Sequence, residues 1–315
     1  MKVFDAHCHI FPAIIARQSV QTIRRAYPHT DEAPIGRAQT ASQAPPHTDE
    51  APTGRAQTAS QAHPHTDEAP TGRAQTISRA YPHTDEAPLG TVQNLLANNA
   101  DITMHLVHSV ALTQKQVSSV NSFIARKTAQ FPNKLLGFGT LHPDSDSEDI
   151  AQLHRLGFQG IKLHPDLQKF SLNDPRFYRL CEELEDKFLL LLHTGDRRNA
   201  FSNPEQLEPL LKRFPNTKFI AAHFGGHGIW QEAAHKLAGK YQNLWVDCSS
   251  SFYALTKKEA KDLIHAYSPS RVLFGSDYPL RSPKEELQTL LSLSLPPEET
   301  HSILWSNAAH LLTLP

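Results

Sequence analysis

Eight short apolar runs, rich in leucine and β-branched residues, recur through this chain, and nearly every one ends in His, Asp or Thr. They are VFDAHCH (3–9), ITMHLVHSV (102–110), KLLGFGTLH (134–142), FQGIKLH (158–164), FLLLLHT (188–194), TKFIAAH (217–223), NLWVDCS (243–249) and RVLFGSD (271–277). Between them lie helix-like stretches such as LTQKQVSSVNSFIARKTAQF, DPRFYRLCEELEDK and NPEQLEPLLKRF; the last two open with Asp or Asn ahead of proline, as helix N-termini do. Strand-length runs alternating with helices are the rhythm of repeated βα units. Eight such units predict an α/β fold of the (βα)8 TIM-barrel type rather than an open doubly wound sheet. No GxGxxG or GxxxxGK[ST] follows any run, which argues against a dinucleotide-binding or phosphate-loop enzyme.

One stretch breaks the rhythm. PHTDEAP begins at Pro28, Pro46, Pro64 and Pro82, a period of 18 residues, with GRAQT after the first three copies. Residues 28–88 carry only Ile35, Ile77 and Tyr81 as larger apolar side chains, too few to offset the entropy of ordering so much backbone. Stacked repeats need apolar faces, which these units lack. The expectation is a low-complexity insertion, disordered or loosely ordered, in the first βα connection of a single domain spanning 1–315. Its HTDE runs, such as His29, Asp31 and Glu32, are a weak metal signal, because neighbours in an extended chain point in different directions. Without three of the four units the chain approaches the roughly 250 residues of an ordinary barrel.

Composition narrows the function. With 31 Lys and Arg against 32 Asp and Glu, the formal charge is -1, which supplies no field for nucleic acid or an anionic membrane surface. A small-molecule substrate is expected instead, with a homo-oligomer left open. Cys8, Cys181 and Cys248 show no CxxC spacing and read as reduced thiols. The opening MKVFDAHCHIFP lacks the apolar core of an export signal, and no window nears the ~18 apolar residues of a spanning helix, so a cytoplasmic protein is expected.

In a barrel, side chains at the carboxyl ends of the strands converge on one mouth. His7 and His9, two apart on a strand, project to one face while Cys8 points away; Asp5 is expected on the histidine face, one step deeper, as an acceptor behind a ligand. His193 ends the fifth run, His223 the sixth and Asp277 the eighth. A single strand-end histidine is ordinary, but this set suits a divalent metal, Zn²⁺ first, with Mn²⁺ or Fe²⁺ compatible with the ligand types. Lys162 and His164 should both face the interior, where an ammonium needs a carboxylate such as Asp5 or Asp277. His164 would then line the pocket or bind metal, and His142 is similarly placed. Arg197 and Arg198, directly after HTGD, could hold a substrate carboxylate or form an exposed loop pair, and Trp230 could wall the pocket or simply pack its helix. His105 and His108 lie on opposite faces of the second run, so at most one faces the barrel and packing or solvent is expected for both; Asp247 could hydrogen-bond within the mouth and is expected to serve structure rather than catalysis.

In order along the chain, DAHCHIFP, GFGTLHPD, GIKLHPDLQ, LLHTGD, FIAAHFGG, VLFGSDYP and NAAHLLTL resemble the amidohydrolase superfamily, specifically the amidohydrolase-related branch with the aminocarboxymuconate semialdehyde decarboxylase-like enzymes. The resemblance covers everything except residues 28–88. It implies that His7, His9, His193 and Asp277 hold one divalent metal while His223 assists catalysis. It also allows a binuclear version, in which a carbamylated Lys162 bridges two ions and recruits His193 and His223 to the second. The mechanism expected from it uses a metal-bound water whose pKa falls towards about 7 and which attacks a carbonyl polarised by the same ion. Asp277 would take the water's proton and pass it to the leaving group, and His223 would orient the water or stabilise the oxyanion. The expected function is hydrolysis of an amide, lactone or ester of a small carboxylated molecule. The alternatives are nonhydrolytic decarboxylation at the same site and, in another class, a non-catalytic scaffold using the repeat as an interaction arm.

Overall fold

The computed structural model describes residues 1–26, 87–184, 186–196 and 198–314. The insertion expected at 28–88 lies, except for its last two residues, outside them, as does Arg197. The eight strands are β1 (Phe4–His9), β2 (Met104–His108), β3 (Leu135–Gly137), β4 (Gly160–Leu163), β5 (Leu189–Leu192), β6 (Phe219–Ala221), β7 (Leu244–Asp247) and β8 (Val272–Leu273). The helices are α1 (Ala13–Ala26), α2 (Val92–Asn98), α3 (Val117–Gln130), α4 (Ser147–Arg155), α5 (Pro165–Gln168), α6 (Pro175–Leu184), α7 (Pro204–Arg213), α8 (Trp230–Leu237), α9 (Lys257–Tyr267), α10 (Pro283–Ser292), α11 (Pro297–His301) and α12 (Asn307–Leu312). At least one helix follows every strand.

All ladders are parallel, in two sheets ordered β1-β2-β3 and β4-β5-β6-β7-β8. Backbone hydrogen bonds close both seams. Between β3 and β4, Gly139 N–H donates to Gly160 O (3.0 Å) and Lys162 N–H to Gly139 O (2.8 Å). Between β8 and β1, Ala6 N–H donates to Phe274 O and Asp277 N–H to His7 O, both at 2.8 Å. The result is the (βα)8 barrel arrangement. The strands are shorter than the apolar runs, and the polar residues that end each run mostly lie just beyond the last ladder bond.

Side chains alternate between two apolar layers, as the twofold period of a strand requires. Phe4, Ala6, Leu106, Leu189, Leu191 and Ile220 share the inner cluster with Trp305 and Leu312 from the C-terminal helical segment. Leu190, Leu192, Phe219, Ala221, Val246 and Val272 face outward in the larger cluster with the surrounding helices. Gly160 faces the ring of Phe138, where a Cβ would lie 2.3 Å from the nearest ring carbon, so the bulky inner layer itself demands a glycine at this position. Among the described residues no helix is long and apolar enough to cross a membrane.

Candidate metal centre

The β1–β2 register slips between Asp5 and Cys8. The extra residue changes the parity of the strand. Ala6 and the histidines therefore face inward, while Asp5 turns to the side of Cys8 rather than standing behind His7. Asp5 accepts hydrogen bonds from Cys8 Sγ (3.0 Å) and Ser276 Oγ (2.6 Å), with His105 Nδ1 3.6 Å from its Oδ2. The acceptor expected of Asp5 is supplied by Asp247 instead: its Oδ2 lies 2.9 Å from His7 Nδ1. Asp247 Oδ1 also accepts from His223 N–H (3.1 Å) and Ser249 N–H (3.0 Å). Burial would raise this carboxyl, but the interactions with His7, His223 and Ser249 outweigh it and hold Asp247 below the usual carboxylate range.

A carboxylate at Nδ1 keeps the His7 proton there and leaves Nε2 unprotonated. That Nε2 lies 3.3 Å from His9 Nε2, 3.1 Å from Lys162 Nζ and 3.5 Å from Asp277 Oδ1, which is also 3.5 Å from His9 Nε2. Ser250 Oγ donates to the other oxygen of Asp277 at 2.6 Å. His108, expected in packing or solvent, sits inside this group: its ring lies 4.5 Å from that of His9 and 5.0 Å from that of His7, and neither ring nitrogen has a hydrogen-bond partner. His108 ends β2 on the inner face with Met104 and Leu106, and its strand-end position was the signal available in the sequence.

His193 and His223 form an adjoining pair. The Ser249 carbonyl at 2.9 Å holds the proton of His223 on Nδ1, leaving Nε2 to accept from His193 Nδ1 at 3.0 Å. His193 Nε2 then faces Asp166 Oδ2 at 3.5 Å, and its ring stacks on His164 at 3.8 Å. The structure thus brings His7, His9 and Asp277 into one donor group, with His193 beside it and bonded through His223. Asp166, which sequence reasoning passed over, is buried and leaves Oδ1 without a partner; burial pushes its carboxyl up to about 6. Backbone conformation marks two of the same residues: His223 (φ 58°) and Asp277 (φ 67°) both occupy the left-handed region, uncommon for non-glycine residues and concentrated at functional sites.

Burial dominates the protonation chemistry. It lowers His9 to about 4 and His223 to about 3, and it lowers His108, His164 and His193 well below the ordinary histidine value. All five are neutral at physiological pH and can offer lone pairs. Lys162 is also lowered by burial, against the pull of Asp247 and Asp277, to about 8. Among the described residues it makes no ion pair, with Asp5 or Asp277 or any other carboxylate, and its hydrogen bond goes to His7. These donors fit a divalent cation: His7, His9 and His108 converge within 4.8 Å, His7 and His9 turn their Nε2 atoms on each other at 3.3 Å, and His108 has no hydrogen-bond partner among the described residues.

A cavity of about 690 Å³ opens above the histidines, and His9, His164, His193, His223, His227 and Asp277 line its inner end. His142 is not among its lining residues. Its Nδ1 accepts from Asp144 N–H (3.2 Å) in a turn after β3. Trp230 is buried at the start of α8, its ring 6.1 Å from His227 and 6.3 Å from Tyr253, behind the cavity wall rather than in it. Arg198 grips Asp196 through Nε (2.9 Å) and Nη2 (2.6 Å) instead of facing the cavity.

A sequence profile described as amidohydrolase matches residues 4–314. No curated protein sequence matches the chain. Among solved structures, an uncharacterised TIM-barrel protein from Bordetella bronchiseptica aligns over 99% of both chains with a TM-score of 0.68 and 20% identity. A variant of a 5-carboxyvanillate decarboxylase from Novosphingobium aromaticivorans, with bound manganese, aligns over 99% of this chain and 97% of its own (TM-score 0.64, 12% identity). A probable 2-pyrone-4,6-dicarboxylic acid hydrolase from Acinetobacter baumannii, with citric acid bound, aligns over 100% of both (TM-score 0.58, 17% identity). At these identities the likeness establishes the fold.

Proposed function

The chain belongs to the amidohydrolase family, and from that premise we propose that it is a metal-dependent hydrolase acting on an amide, lactone or ester carbonyl of a carboxylated small molecule. The observation that carries this reading is the convergence of His7, His9 and Asp277 on one point, with Asp247 fixing the tautomer of His7. His7, His9, His193 and Asp277 would hold one divalent ion, Zn²⁺ by donor type, with Mn²⁺ the alternative that the decarboxylase structure suggests. His108 is an additional donor at the same point. Such an ion, when bound, supplies Lewis acidity: it lowers the pKa of water and polarises a carbonyl.

The remaining chemistry belongs to the side chains. Asp277 is anchored through Oδ2 by Ser250, which leaves Oδ1 to take the proton of the attacking water and return it to the leaving group. His223 has an unprotonated Nε2, which here accepts from His193 Nδ1 and would orient a water by accepting from it once His193 turned to the ion. Oxyanion stabilisation would need a proton on that nitrogen, and the Ser249 carbonyl draws it to the other. Neutral histidines and a buried inner end favour a closed site over a solvated surface cluster.

Decarboxylation at the same centre is the second reading, motivated by the decarboxylase of this fold and by the placement we propose in the aminocarboxymuconate semialdehyde decarboxylase-like branch. Elemental analysis of the purified protein beside His7→Ala and Lys162→Ala separates the metal schemes. About one ion per chain, lost in His7→Ala and kept in Lys162→Ala, is the expected result for the mononuclear site. Two ions falling in both variants would replace it with the carbamylated bridge, and no specific metal would end the reading. Uptake of ¹⁸O from water into product, against release of CO₂, then decides between hydrolysis and decarboxylation.

A further inference from the structure

The cavity changes character along its length. Its inner end is the buried histidine group with Asp277; its walls are apolar, formed by Phe11, Ile15, Ile23, Val120, Phe123 and Leu167. Two helices supply most of this wall with single faces. Ile15, Ser19 and Thr22 of α1, and Val120, Phe123 and Arg126 of α3, are spaced three or four apart, so each trio points the same way. Arg126 is exposed whereas the lining histidines are buried, which puts it on the solvent side, and it is the only Lys or Arg among the described lining residues. No described residue makes an ion pair or hydrogen bond with its guanidinium. At ~30 Å³ for a water-sized group, about 690 Å³ holds roughly twenty such groups, so a single-ring acid would leave about half of it empty.

Resting on the metal-centre reading above, we propose that the substrate is an elongated molecule with three parts: a reactive carbonyl or carboxyl group at the histidines, an apolar alkyl or aryl body between α1 and α3, and an anionic group at the far end that pairs with Arg126. Arg126 then determines specificity without touching the reacting atoms. An anion held at the rim fixes how deep the body sits, and with it the position of the reactive group. Arg198 does not compete for that anion, because Asp196 occupies its fork.

Binding of ω-carboxylated alkyl hydroxamates to the zinc-loaded or manganese-loaded protein tests this, each compared with its neutral ω-carboxamide by isothermal titration calorimetry over a series of increasing methylene number. The hydroxamate end chelates divalent metal and the other end probes the rim. At one preferred length the carboxylate should bind roughly threefold to fivefold tighter than the amide at low salt, the upper range for an exposed ion pair. The advantage should vanish in Arg126→Gln, survive in part in Arg126→Lys and shrink as salt is added. Equal affinity for both ends at every length, with Arg126→Gln unchanged, would overturn the proposal while leaving the metal centre standing. Failure of every hydroxamate to bind a protein that also retains no metal would overturn the metal-centre reading, and the substrate class with it.

Discussion

Asp247 and His108 are the residues whose surroundings bring them closest to the histidine group beyond the set expected to bind metal. Asp247 receives His7 Nδ1 at 2.9 Å and His223 N–H at 3.1 Å, so one carboxylate orients two histidines from different strands. Removing its charge should leave the fold in place but weaken the hold on His7. Asp247→Asn is expected to lower metal affinity by about 10- to 100-fold, the usual cost of losing an acceptor behind a ligating imidazole. A competition titration against a chelator, with circular dichroism as the control for folding, reads this directly; unchanged affinity in a folded variant would remove Asp247 from the centre. His108 was identifiable as a strand-end histidine, but its neighbours were not, because only the β1–β2 pairing sets its ring 4.5 Å from that of His9.

Single elements carry constraints that no residue carries alone. The slip in β1 is one: alternation places Asp5 with His7, and one extra residue moves it to the side of Cys8. Helix α10 holds another. It starts from a Ser282 cap and Pro283, yet it buries Glu286, whose Oε2 has no partner. Burial, only partly offset by Arg281, pushes this carboxyl up to about 8. The folded protein therefore keeps a proton that the unfolded chain releases near the ordinary glutamate value. This contribution is fully present below that value and is lost as pH rises towards 8, at up to ~1.4 kcal/mol per pH unit. Thermal midpoints of Glu286→Gln should match the unsubstituted protein near pH 5 and exceed it by several degrees at pH 8. An identical pH slope in both proteins would show that Glu286 ionises freely.

At the scale of the whole molecule, the eight described strands, the histidine group and the described lining of the cavity come from residues on either side of the repeat. We therefore expect deletion of residues 28–81, which removes three of the four units, to leave metal content, thermal midpoint and turnover near those of the full chain. Those three measurements on the shortened protein check it. A large loss of turnover with metal retained would instead make the repeat part of the first βα loop of the active-site mouth, and a lost partner contact alone would give it an interaction role.

Much of this was legible in order along the chain. Strand runs, helix starts and the polar residue at each strand end follow from local period and from chemistry that acts over a few residues, so eight βα units and the set His7, His9, His193, His223 and Asp277 could be read without coordinates. The orientations of His142 and Trp230 were not legible, because position near a strand end says which residues can reach a mouth but not which way a turn or helix start directs them. The Asp144 N–H holds His142 in its turn, and Trp230 packs behind His227. The sequence by itself determined the barrel and offered candidate donors at the strand ends, because both depend on period and residue type. Only the tertiary structure decided which donors meet, which carboxylate holds His7 and where Arg126 stands, because those depend on register between strands and on helices far apart in the chain.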